Sequence, residues 1–140
     1  MSRIINLEGA GKQRQKLTRE VVVAIRKLMG QTEINDETRD LAAFIAANLD
    51  AIDETIELTV TPWEKRDYWV KADKFRMEWS WCTKFAGEMR DALIQEDWQG
   101  VAQVSVKIAD KLGNVKIPKR HKLGEPWHGS WRELSISLHD

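Results

Sequence analysis

The residues whose types and spacing could do chemistry include carboxylates at helical spacing on one predicted helix, 36–58. They fall into two groups, the pair Asp36 and Asp40, followed by the denser set Asp50, Asp53, Glu54 and Glu57. Carboxylate oxygens are the ligands that Mg²⁺ prefers, so the second group could form an all-carboxylate magnesium site. Acidic helix faces are more often simply solvated. A carboxylate-based, metal-dependent enzyme is therefore the third of three functional alternatives.

Other reactive side chains are few. Cys82 is the single cysteine, which excludes an intramolecular disulfide, and it lies at an inward position of a predicted helix. A buried thiol there behaves as a small hydrophobic group with a raised pKa. His121, His128 and His139 all lie in the last 20 residues, so the predicted bundle helices contain no histidine ligand. The favoured interpretation has no catalytic residue, no cofactor and no metal site.

Composition narrows the functional classes further. The chain has 140 residues, of which 42% are hydrophobic and 31% charged, and 22 basic residues balance 22 acidic ones. Such a chain can bury a core, and its zero net charge argues against nucleic-acid binding by bulk attraction. No stretch approaches the roughly 20 apolar residues that span a bilayer. We therefore expect a cytoplasmic protein without a membrane partner.

Apolar spacing and helix-end signals predict an all-α fold, an antiparallel bundle of about four helices with one long central helix. The predicted bundle domain covers residues 1–113, and its helices span 17–29, 36–58, 62–95 and 98–112. Residues 114–140 are expected to form an irregular basic tail that contains tryptophans and packs on the bundle. A short helix over 131–138 fits within it.

Local sequence supports these boundaries. Asn35 and Asp97 are good N-caps, and Gly30 is a helix stop. The clearest predicted start is Thr61-Pro62-Trp63-Glu64, which combines a threonine cap, a proline at the first helical position and a glutamate placed for a capping box. The third helix is therefore predicted to begin at Pro62.

That third helix carries more apolar residues than one bundle face can bury. Besides an inward stripe from Tyr68 to Leu93, a second stripe lies on nearly the opposite flank and contains Trp63, Val70, Met77 and Trp81. The tail, with Trp127 and Trp131, or a second subunit is expected to cover it, and scattered exposure of the tryptophans is the third alternative. Because aromatic anchors dominate interface energies, these four residues are the predicted protein-interaction site. The favoured function is a non-enzymatic interaction or accessory subunit, binding a protein partner or a second copy.

A basic tract supports the second alternative, a nucleic-acid-binding accessory subunit of a ribonucleoprotein. The tract contains Lys116, Lys119, Arg120 and Lys122, and no acidic residue lies between Gly113 and Gly124. A second basic set lies near the N-terminus and contains Lys12, Arg14, Lys16 and Arg19. Basic residues near Trp127 and Trp131 could bind a phosphate backbone and stack bases.

Overall fold

The computed structural model describes residues 9–139, and in that part of the chain the fold is all-helical, with no β-strand. The all-α prediction is confirmed. Six helices follow one another in this region: α1 Ala10–Met29, α2 Asp36–Lys65, α3 Trp69–Trp79, α4 Trp81–Ile94, α5 Trp98–Lys111 and α6 Ser130–Leu138. None of these helices is both long and apolar enough to cross a bilayer.

The central helix of the molecule is α2. Its 30 residues extend for about 45 Å, and it packs against α1, α3, α4 and α6. Apolar residues at helical spacing along α2 are almost completely buried, namely Leu41, Ile45, Leu49, Ile52 and Ile56. The remaining helix, α5, packs against α4 and α1. One core therefore runs along α2 and is closed by the shorter helices around it.

Several predicted helix ends are confirmed. Asn35 caps α2, because its side chain accepts a hydrogen bond from the amide of Thr38 at 3.0 Å, and the threonine hydroxyl accepts one from the Asn35 amide in return. Asp97 caps α5 by accepting from the amide of Gly100 at 3.0 Å. Gly30 ends α1. The two caps were predictable because asparagine and aspartate side chains can accept from a free backbone amide, and the stop because glycine commonly ends helices.

The predicted helix start at Pro62 is wrong, because Pro62 lies inside α2. The hydroxyl of Thr61 does not cap a new helix but donates to the carbonyl of Glu57 one turn earlier, at 2.7 Å. Val60 is fully buried and Trp63 packs on Phe75. The burial of this turn stabilises the helix by more than it loses through the backbone hydrogen bond that the proline cannot donate. The helix ends instead at Lys65, just before Asp67, which adopts a left-handed backbone with φ 63°.

The long helix predicted over 62–95 is therefore not one rod. Its first turn belongs to α2, a turn at residues 66–68 follows, and the rest is divided into α3 and α4 at Ser80. The backbone of Ser80 is itself helical, and its amide bonds to the carbonyl of Met77 at 3.5 Å. The long helix of the fold is α2, which ends at Lys65, and α3 folds back along that end.

The contacts that attach the tail to α2 include one buried aromatic ring and one carboxylate. Trp127 is 2% exposed and packs edge-on against Phe44, with ring centroids 6.3 Å apart. Asp40 accepts hydrogen bonds from the amides of Gly129 at 3.1 Å and Trp131 at 2.9 Å. Gly129 has φ 89°, a conformation that suits glycine, and α6 has no side-chain cap of its own. Asp40 therefore caps α6 from another helix.

Replacing Asp40 by alanine is expected to free the start of α6. Because two amides lose a charged acceptor, we expect the free energy of unfolding to fall by about 2 kcal/mol, measured by urea denaturation. Hydrogen exchange at Gly129 and Trp131 should accelerate more than exchange at α1. Asp91→Ala, which removes an exposed carboxylate from α4, is the control. Equal effects of the two variants would contradict the capping role.

Candidate functional site

The most exposed apolar surface near the predicted site lies on α3 and at Tyr68, the residue before it. We call the four residues that form it the α3 apolar patch: Tyr68, Trp69, Val70 and Met77. Val70 is 70% exposed and Met77 is 75% exposed, while Tyr68 and Trp69 are each 53% exposed. Val70 and Met77 are seven residues apart and so lie on one line of the helix, opposite the fully buried Ala72. Helix α3 is thus apolar on its inner side and on its outer side.

Arg76 on α3 binds two glutamates of α2. It donates to both carboxylate oxygens of Glu57 at 3.0 and 3.1 Å and to both oxygens of Glu64 at 2.8 and 2.9 Å. These bonds lower the pKa of Glu64, and in turn the hydrogen bonds to Glu64 and Glu57 raise the pKa of Arg76. A planar guanidinium that binds two carboxylates in this way allows little rotation. Arg76 therefore helps to hold the inner side of α3 against α2.

A row of aromatic rings fills the seam on the inner side of α3. The rings follow one another at centroid distances of 5.4, 6.5, 6.3 and 5.9 Å, in the order Trp63, Phe75, Trp79, Trp81 and Phe85. The row begins on α2, crosses α3 and ends on α4. At the Trp63 end of the row, the Nζ of Lys71 lies over the Trp63 ring, 4.2 Å from the ring centre.

Arg14 of α1 contacts both the aromatic row and α2. Its guanidinium lies 4.9 Å from the Phe75 ring centre and 5.8 Å from that of Trp79. It also donates to the hydroxyl of Thr59 at 3.1 Å and to the carbonyl and hydroxyl of Thr55 at 3.3 Å. Burial lowers the pKa of Arg14. This arginine, part of a predicted nucleic-acid-binding set, instead contributes to packing.

The four predicted interaction residues do not form one stripe. Trp63 lies on α2, Val70 and Met77 lie on α3, and Trp81 lies on α4. Trp63 and Trp81 are half-buried by rings of α3 and α4. Of the two tail tryptophans expected to cover them, Trp127 packs on Phe44 and Trp131 packs against the same core. The structure thus separates two outward-facing residues, Val70 and Met77, from two that belong to the aromatic row.

Sequence reasoning missed Tyr68 and Trp69 as surface residues. Tyr68 was assigned to the inward stripe because its spacing to Ala72 fits a continuous helix. In the structure it precedes α3 and follows the left-handed Asp67, so the helical spacing does not apply to it. The signal that could have found it is Asp67 itself, since aspartate is one of the few residues that adopt this backbone readily.

Several of the acidic residues singled out in the sequence have partners other than a metal ion. Asp36 lies in the first turn of α2 and Asp40 caps α6, while Asp50 forms an ion pair with Arg90 and Glu57 binds Arg76. Partial burial raises the pKa of Asp53, and the nearby Glu57 and Asp50 add to this rise. Among residues 9–139, no group of three or more histidine, cysteine, aspartate or glutamate side chains is placed to hold a metal ion.

Cys82 is a core residue, as predicted. Its side chain is fully buried on the inner face of α4. Burial raises the pKa of the thiol to about 12, and the charges of Asp53 and Asp50 add to this shift. The thiolate that would act as a nucleophile is therefore strongly disfavoured.

The basic tract lies on an irregular segment between α5 and α6. Lys116, Lys119, Arg120 and Lys122 are all exposed there. Trp127, one of the two tryptophans expected to stack on bases beside them, is buried in the core, and Trp131 is half-buried against it. The tract therefore presents positive charge with little aromatic surface beside it.

An open apolar groove of about 330 Å³ lies at the other end of α2, between the end of α1 and the start of α5. Its lining includes Leu28, Ile34, Trp98, Val101 and Val106.

Comparison of the chain with models of protein families, with curated proteins and with solved structures gives no match.

Arg76→Ala is expected to loosen α3 without unfolding the bundle. Losing the bonds to both glutamates should raise hydrogen exchange of the α3 amides about tenfold, with little change in α1. Lys84→Ala, which removes an exposed cation from the neighbouring helix α4, is the control. If both variants exchange at the wild-type rate, Arg76 does not hold α3.

The same contact predicts a pH dependence. Because the pKa of Glu64 is lowered in the folded chain, its stabilising effect is complete above the ordinary pKa of a glutamate and is lost as the pH falls through the lowered value. Exchange of α3 in the wild type should therefore approach that of Arg76→Ala in acid. A difference between the two that persists unchanged at pH 2 would contradict this link.

Proposed function

We propose that this chain acts through its surface, as a non-enzymatic interaction or accessory subunit that binds another protein molecule with the α3 apolar patch. The observation that carries the proposal is the exposure of Val70 and Met77, at 70% and 75%, on a helix whose inner side is already packed. Exposed apolar residues that cluster on one element are typical of protein contact sites, whereas scattered ones are ordinary.

The way α3 is held supports the same proposal. Arg76 binds Glu57 and Glu64 while the rings of Phe75 and Trp79 fill the seam behind it. A patch fixed in this way needs little ordering when a partner binds, so less of the contact energy is lost to conformational entropy. Trp69 adds a large ring at the edge of the patch, a residue type that often dominates interface energies.

Photo-crosslinking in the cells that produce the chain naturally tests this function. A crosslinking side chain is placed at residue 70 or 77, and at residue 136 as a control, because Ile136 on α6 is also exposed, at 54%. We expect one defined adduct from positions 70 and 77 that is absent from position 136. It should disappear when Trp69→Ala is added. If all three positions give the same products, the patch is not a contact site.

The exposed basic tract favours a second candidate function, nucleic-acid binding by an accessory subunit. Four cations at residues 116–122 face solvent on an irregular segment, and this arrangement could follow a phosphate backbone. The buried Trp127 does not contribute stacking, so this candidate depends on charge alone.

Salt titration of RNA and DNA binding tests the second candidate. Binding through the tract should weaken steeply between about 50 and 200 mM salt, and Lys119→Ala with Arg120→Ala should reduce the log–log slope by about 1.5. The control removes two exposed lysines outside the tract, Lys65 and Lys84. Binding that does not depend on salt, or an equal slope change in the control, would reject this function.

A further inference from the structure

The charges beside the α3 apolar patch point to what could cover it. On the outer side of α3, Val70 and Met77 define a line along the helix, and Asp73 and Lys74 lie on opposite sides of that line, at its middle. Asp73 is within 3.6 Å of Arg76 but its side chain remains 69% exposed. Lys74 is also exposed. At its middle the patch thus has a negative flank, formed by Asp73, and a positive flank, formed by Lys74, while Arg76 lies farther round on the Asp73 side and Glu78 farther along the Lys74 side.

The flanks of two copies have complementary charges when their α3 helices pack in one relative direction but not in the other. When two α3 helices pack in parallel about a two-fold axis along the helix, the negative flank of each copy faces the positive flank of the other. Asp73 of one copy then lies beside Lys74 of the second, twice, while Val70 meets Val70 and Met77 meets Met77. Antiparallel packing would instead place Asp73 beside Asp73 and Lys74 beside Lys74, which is repulsive.

We infer that the α3 apolar patch binds a second copy of this chain, through parallel packing of the two α3 helices. This inference rests on the proposed function and names its partner. The zero net charge of the chain agrees with it, since two copies do not repel one another as whole molecules.

The size of the patch predicts a weak complex. A stable dimer buries about 800 Å² on each partner, and an 11-residue helix about 16 Å long with its adjoining turn offers less than that. We therefore expect a dissociation constant of roughly 10 to 100 µM.

Analytical ultracentrifugation of the full chain over about 1 to 500 µM tests the inference. The wild type should change from monomer to dimer over this range. Val70→Asp should weaken the dimer at least about thirtyfold, because each copy would bury an unpaired charge. Ile136→Asp, at an exposed apolar position on α6, is the matched control and should leave the dimer unchanged.

Charge exchange tests the parallel direction. Asp73→Lys alone and Lys74→Asp alone should each weaken self-association about five- to tenfold, because each places like charges on facing flanks. A mixture of the two variants should form a heterodimer, and the double exchange in one chain should restore the wild-type dimer. Circular dichroism checks that these surface variants fold. A neutral Asp73→Asn, Lys74→Gln variant that associates more tightly than the wild type would overturn parallel packing.

A wild type that stays monomeric at the highest concentration, or a dimer that Val70→Asp leaves intact, overturns the inference altogether. Such a result is distinct from failure of the proposed function. If crosslinks from positions 70 and 77 then identify a different protein, the patch is a contact site with another occupant. If those positions also give no specific adduct, the proposed function fails as well.

Discussion

The contact between Arg76 and two glutamates of α2 determines how this molecule presents its surface. Helix α3 has apolar residues on both sides, and on its inner side Ala72 and the rings of Phe75 and Trp79 are packed. The guanidinium binds Glu57 and Glu64 together, and this fixes Ala72 and Phe75 inward and Val70 and Met77 outward. Arg14 strengthens the same arrangement from α1 by lying over Phe75 and Trp79. An exposed apolar patch is thus held by polar contacts on the opposite side of the same helix.

Much of the fold could be predicted from the sequence, because local signals decide it. The helix caps at Asn35 and Asp97 and the stop at Gly30 depend on a few neighbouring residues, and the structure contains them where expected. The all-helical class follows from apolar spacing that recurs along most of the chain. Cys82 belongs to the core because it continues such a spacing, and it is buried.

The errors arose where tertiary contacts override local preference. Thr61 and Pro62 have the sequence of a helix start, yet Val60 and Trp63 on either side are held by α3, and the helix continues through the proline. A misplaced boundary also changes which residues share a face. The turn at residues 66–68 separates Trp63 from the helix that carries Val70 and Met77, and the junction at Ser80 separates Trp81 from it. Of the α3 apolar patch, only Val70 and Met77 could be predicted, because the sequence pattern was placed on one continuous helix.

The most direct test of this account is the rate at which hydrogen peroxide oxidises individual methionines in dilute protein, measured by mass spectrometry. Met29 is 57% exposed and Met89 is fully buried, so the chain contains its own fast and slow standards. The account predicts that Met77 reacts as quickly as Met29. Oxidation of Met77 as slow as that of Met89, in the dilute wild type and equally in a Val70→Asp variant, would contradict it, because the outer side of α3 would then be buried within the chain itself.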